Sequence, residues 1–185
     1  MRKCFLITLL VACSVNAGSQ ELSSQARAQE IAASFSKFKH LAKEKNGFRK
    51  EKYKDVRSEP VVKQNVREYS GVYEVYDLGY VIHIQVESAD RIQANGYETN
   101  GDGNQQSRAF RLEHARIAGA LITADKVYDN GAAEKFEGVF LNRTERNSPT
   151  DSGTSIFGLG VLLSTPRQQN GITYDKLFYQ WKQSI

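Results

Sequence analysis

Tyr80-Val81-Ile82-His83-Ile84-Gln85-Val86-Glu87 is the stretch that decides the fold. Tyr80, Ile82, Ile84 and Val86 alternate with Val81, His83, Gln85 and Glu87, a period of two rather than the 3.6 of a helix. One face is apolar and the other mostly polar, which predicts a strand with one side on a core.

Reading outward, the same texture recurs on both sides. Val72 to Tyr76 forms an upstream strand, joined through Asp77-Leu78-Gly79. Downstream, Ser88-Ala89-Asp90 turns the chain into Arg91 to Tyr97, and Asn100-Gly101-Asp102-Gly103-Asn104 is a turn-rich loop. Further strands are predicted at Arg108 to His114, Arg116 to Thr123 and Lys126 to Tyr128. Asp129-Asn130-Gly131 reads as a tight turn into Glu134 to Asn142. Ser155 to Leu163 and Thr173 to Trp181 complete the set. Eight or nine short strands at hairpin spacing over residues 69–185 predict a mainly β domain. The expected form is an antiparallel meander in a small barrel or sandwich, lipocalin-like by architecture alone. Such architecture does not imply a function.

Residues 18–68 differ. Ile31, Phe35, Phe38 and Leu41 or Ala42 recur at three- and four-residue steps, which predicts one amphipathic helix from Ser23 to Lys45. A basic linker follows it, ending at Pro60. This segment carries twelve Lys/Arg against seven Asp/Glu, net +5, whereas residues 69–185 carry eleven against fourteen, net −3. Lysines concentrate between Lys37 and Arg57, and Lys50, Lys52 and Lys54 are candidates for contact with an anionic surface. The competing reading is a solvated face, with Glu44, Glu51, Asp55 and Glu59 diluting the charge.

The N-terminus reads as an export signal over residues 1–17. Arg2 and Lys3 precede an apolar run from Cys4 to Ala12, which is too short to span a bilayer, and Val15-Asn16-Ala17 offers a small-residue cleavage site. The alternative is a lipoprotein signal, in which Leu10-Val11-Ala12-Cys13 places the lipid on Cys13 and anchors the chain to the envelope. Either way the expected location is extracytoplasmic, periplasmic or secreted. Cys4 and Cys13 are the only cysteines, so a chain beginning at Gly18 has no thiol for a disulfide, a zinc site or a nucleophile.

Catalytic patterns are not evident. Three histidines, His40, His83 and His114, stand far apart in sequence, and no Cys or His cluster has metal-ligand spacing. Gly153-Thr154-Ser155-Ile156-Phe157 fails the nucleophile-elbow pattern at its last position. The 100–104 loop lacks the spaced carboxylates of a calcium loop. Gly158-Leu159-Gly160 lacks a third glycine and a following helix, so the glycines are read as sites of strand bending. Asn142-Arg143-Thr144 is a formal glycosylation sequon. We therefore expect no catalytic residue, metal, cofactor or specific nucleic-acid reading.

Aromatic side chains remain as the chemical resource. An open barrel would use Tyr97, Tyr128, Tyr179 and Trp181 to line a pocket for a small, partly apolar ligand. His83, Arg111 and His114 would orient a polar group of that ligand. The other expectation is a protein or polymer interaction module of the cell envelope, with the barrel filled and its outside or basic segment engaged.

Overall fold

The alternation at 80–87 becomes a strand, and so do its neighbours. A computed structural model of the chain describes residues 22–45, 48–75, 80–99, 107–162, 168–169, 172–173 and 176–181. The export signal, Cys13 and the 100–104 loop lie outside these residues. So do the side chains of residues 38–52 and of all residues beyond 162, which include Lys50, Lys52, Tyr179 and Trp181. In chain order, helix α1 covers residues 22–34. Strands β1 (Lys37–Lys45) and β2 (Phe48–Pro60) precede a single 3-10 turn at Val66–Tyr69. Then come β3 (Gly71–Val75), β4 (Tyr80–Ser88), β5 (Arg91–Thr99), β6 (Ser107–Ala118), β7 (Leu121–Tyr128), β8 (Ala133–Arg146) and β9 (Thr154–Leu162). A two-residue pair, β10 (Gln168–Gln169) with β11 (Ile172–Thr173), leads to β12 (Lys176–Trp181).

Strands β3 to β9 pair in sequence order, all antiparallel. β12 pairs with both β9 and β3, which brings the meander round into a barrel. That seam is short: Lys176–Tyr179 face β9 and Tyr179–Trp181 face β3. Inward side chains from every strand between β3 and β9 form one contiguous apolar cluster. Within it Tyr73, Ile82, Ile122, Phe140 and Leu159 are fully buried.

β8 outruns the barrel and changes partner halfway. Its first half pairs with β7 up to Leu121↔Val139, and its second half pairs with β2 from Pro60↔Leu141 to Asp55↔Arg146. Phe140 sits at the changeover. Its N–H donates to the Ala120 carbonyl at 2.9 Å, while its own carbonyl accepts from Val61 N–H at 2.8 Å.

Two sequence expectations require correction. The helix stops at residue 34, and 37–60 is a β-hairpin rather than a helical tail and linker. The last helical turn tightens, with Phe35 and Ser36 N–H bonding to the Ala32 and Ala33 carbonyls. Ser58 of β2 then catches the exit: its N–H donates to Ser36 Oγ at 2.9 Å and its hydroxyl to the Phe35 carbonyl at 3.2 Å. Phe35 packs against the core between the helix and the outer wall and covers the outside of β9, where a Cβ on Gly160 would lie 2.6 Å from its ring. Gly160 thus serves close approach, a second reason for glycine in a strand.

The second correction concerns the strand ends around His114. Residues 107–118 are one strand, interrupted by a bulge between Glu113 and Arg116, and the turn comes at Gly119. His114 has φ +53°, the left-handed region that non-glycine residues seldom adopt. The bulge shifts the inward phase from Phe110 and Leu112 to Ala115 and Ile117, which in sequence looks like a break.

Helix α1 packs on the outer wall. Ala28, Ile31 and Ala32 meet Ala120, Leu121, Val139 and Leu141 in a second core. Arg27 fixes the docking angle with two bonds to Glu137, 2.9 Å and 2.5 Å.

Candidate functional site

The two ends of the barrel carry its most distinctive side chains. At the end holding the 3-10 turn, the Tyr69 ring stacks on Phe140 with centroids 4.2 Å apart, and Phe140 in turn faces Phe157 at 6.3 Å. The Tyr69 hydroxyl accepts from Lys63 N–H at 2.8 Å and lies within donating distance of the Val61 and Gly119 carbonyls. Tyr73 beneath it donates to the Tyr69 carbonyl at 2.6 Å. Burial pushes the Tyr73 phenol far above its ordinary range, with Tyr69 adding to it. Burial also raises Tyr69, against the lowering effect of the Lys63 N–H.

At the opposite end the inward positions are charged. The Lys126 ammonium lies 2.8 Å from Glu98, 3.1 Å from Glu134 and 2.6 Å from the Tyr128 hydroxyl, which itself contacts both carboxylates. Arg108 spreads over the Tyr128 ring at 4.0 Å, and Lys126 lies 4.5 Å from the Phe110 ring centroid. Glu98, Lys126 and Tyr128 are all buried. Burial first, then the bond to Glu134 and the two carboxylate charges, drive the Tyr128 phenol well above its usual value. Two cations and two anions with a shared hydroxyl satisfy one another, and the cluster links β5, β6, β7 and β8 at this end of the barrel.

Of the residues expected to line a ligand pocket, the five whose side chains are described, His83, Tyr97, Arg111, His114 and Tyr128, do not converge. Tyr128 points inward and belongs to the charged cluster. Tyr97, 42% exposed, is on the outer wall, as are His83 and Arg111. Arg111 pairs there with Glu113 at 2.6 Å. His114 meets a carboxylate: its Nδ1 lies 3.0 Å from Asp125, which Lys135 also holds at 2.6 Å. The Lys135 and His114 bonds keep the Asp125 carboxyl below its ordinary range. This pair is at the outer surface with the His114 side chain 79% exposed, a setting that excludes no water and offers no cleft for general base catalysis. Among the described residues no group of His, Cys, Asp and Glu is arranged to hold a metal ion.

A polar groove of about 220 Å3 runs between β2, β8 and β9, bordered by Asp55, Arg57, Thr144, Arg146 and Ser155. It is smaller than the roughly 300 Å3 at which small-molecule pockets begin. Within it Arg57 already leans on Asp55 at 3.3 Å. Lys54, one of the three candidate surface lysines, is half-buried and reaches Glu145 at 3.4 Å.

Reading residues alone missed the Lys126 cluster, because its members come from four strands and meet only through register. A signal existed. Glu98 and Lys126 sit in phase with Ala94 and Ala124, inward positions where an unpaired charge would be prohibitive. Comparison with protein-family models, curated proteins and solved structures finds no significant match.

Proposed function

We propose that this chain is an exported, non-enzymatic β-barrel that works as an interaction module, engaging a component of the cell envelope through its outer surface. One observation carries the reading: the inward side chains from β3 to β9 pack against one another and, at the end opposite the 3-10 turn, neutralise one another. The barrel then serves as a rigid base for what it displays, helix α1 and the β1–β2 hairpin. The carrier reading would need Tyr97, Arg111 and His83 to share a lumen with Tyr128, and they face away from it. Export rests on the signal-like residues 1–17.

Native mass spectrometry of the protein purified from its own host tests both parts. The expected result is a ligand-free mass corresponding to a chain that starts at Gly18, or at a lipidated Cys13. A stoichiometric small-molecule adduct that leaves on denaturation would overturn the module in favour of a carrier, and an intact Met1 on all molecules would overturn export.

A further inference from the structure

We infer that the β1–β2 hairpin is a docking face for an anionic lipid bilayer, an inference that rests on the outer-surface reading above. The register places Lys37 opposite Val56, Lys39 opposite Lys54, Leu41 opposite Lys52, Lys43 opposite Lys50 and Lys45 opposite Phe48. Directly opposed residues share a face, and each face recurs at every second position. Positions 37, 39, 43, 45, 50, 52 and 54 therefore lie on one face, seven lysines with no acidic position between them. Of the acids that dilute the charge in the sequence, Glu44, Glu51 and Asp55 fall on the other face with His40, Arg49 and Tyr53. Folding as a hairpin sorts a mixed segment into a single-sign surface, which a helix over the same residues would not do.

Such a face is costly in isolation. Lys39 with Lys54 and Lys43 with Lys50 are like charges directly opposite, which destabilises a ladder. At the base β8 supplies a counter-charge, Glu145 beside Lys54. Before Asp55 β2 pairs with β1 alone, so positions 39, 43, 45, 50 and 52 lie on a two-stranded ribbon, whereas Lys37 stands opposite Val56, which β8 still pairs. External anions remove the repulsion there.

The shape favours a bilayer over a linear polyanion. A ribbon presents a face roughly 23 Å long and two strands wide, rather than the walled track that single-strand binders use. Leu41 and Phe48 occupy positions among the lysines, the apolar complement that an interfacial element places below the headgroups. Clusters of four to eight basic residues are the usual footprint for anionic lipid.

Co-sedimentation of the mature chain with vesicles provides the test. Phosphatidylglycerol-containing vesicles should bind it at low salt, and pure phosphatidylcholine vesicles should not. Lys43→Glu with Lys50→Glu should cut partitioning at least tenfold, at about 1 kcal/mol per basic residue. Lys43→Gln with Lys50→Gln, folded by circular dichroism, should give a smaller loss in the same direction. Adding Glu44→Lys and Glu51→Lys to the reversed pair restores net charge on the wrong face, and binding should stay weak. Recovery in that variant, or no loss on reversal, overturns the face-specific proposal. Binding to soluble polyphosphate but not to vesicles overturns the lipid assignment. Failure to bind vesicles with a ligand-free native mass sinks lipid docking and leaves the outer-surface reading standing, whereas a stoichiometric adduct sinks that reading whatever the vesicles do.

Discussion

At one end of the barrel Tyr69 lies flat on Phe140 above a buried Tyr73, while at the other Lys126 sits between Glu98 and Glu134 with Tyr128 bridging them. Both arrangements stabilise the fold around the same apolar cluster. The aromatic end does so by surface burial, which tolerates modest changes of shape. The charged end does so by mutual neutralisation, which works only while the buried charges balance. Removing part of either should therefore cost stability for different reasons, and the difference can be measured.

The largest effect should come from Phe140→Ala, because Phe140 is fully buried and touches Tyr69, Tyr73 and Phe157 at once. We expect a loss of about 4 kcal/mol in urea unfolding. A loss below about 1 kcal/mol would mean that the aromatic end collapses freely and stabilises little.

Lys126→Met comes next, at about 3 kcal/mol, since it leaves the buried Glu98 without its close ammonium partner. Arg108, 3.9 Å from Glu98, should limit the damage. Combining it with Glu98→Met should recover much of the loss. If the double variant is worse than the single one, the charged end is held by shape rather than by charge balance.

Tyr73→Phe separates the ends by pH. It should cost about 1 kcal/mol at neutral pH for the lost bond to the Tyr69 carbonyl. Tyr69, Tyr73 and Tyr128 all hold their protons more tightly when folded, and unfolded tyrosine ionises near pH 10. Unfolding above about pH 10 releases protons, so stability is intact below that value and declines as pH rises past it. The variant has one phenol fewer to release, and its decline between about pH 9 and 11 should be shallower. Parallel declines would show that Tyr73 is not among the groups responsible.

Arg27→Ala should be the mildest, below about 1 kcal/mol. Its bonds to Glu137 are short, but both side chains are about one-third exposed, and solvent screens them. A loss as large as that of Lys126→Met would contradict the view that burial, not ion pairing as such, sets the cost at the charged end.

How much of this was legible in the chain varies by element. The 80–87 alternation survives as β4 because one face of that strand meets the core throughout. The helix start was equally readable, since Ala28, Ile31 and Ala32 follow a helical stripe that the outer wall does bury. Its end was not, because Phe35, Phe38 and Leu41 prolong the same spacing. A competing signal was present: Lys37, Lys39, Lys43 and Lys45, then Lys50, Lys52 and Lys54, recur at steps of two and four. Those steps fit a strand, and Ser58, which captures the exit from the helix, decides between the two patterns from more than twenty residues away. The bulge at His114 was hidden for the opposite reason, being a local phase change that alternation alone reads as a strand end.

For the candidate sites the balance shifts further towards tertiary structure. Composition and periodicity determined that the domain is mainly β, that any chain starting at Gly18 is free of thiols and that its N-terminal third is basic, because those properties belong to residues singly or to near neighbours. Only the paired strands decided which lysines share a face, which tyrosines turn inward and which charges meet at Lys126. Those facts depend on register, and register is fixed by contacts between segments far apart in the chain, where a slip of one residue would send every side chain to the other face.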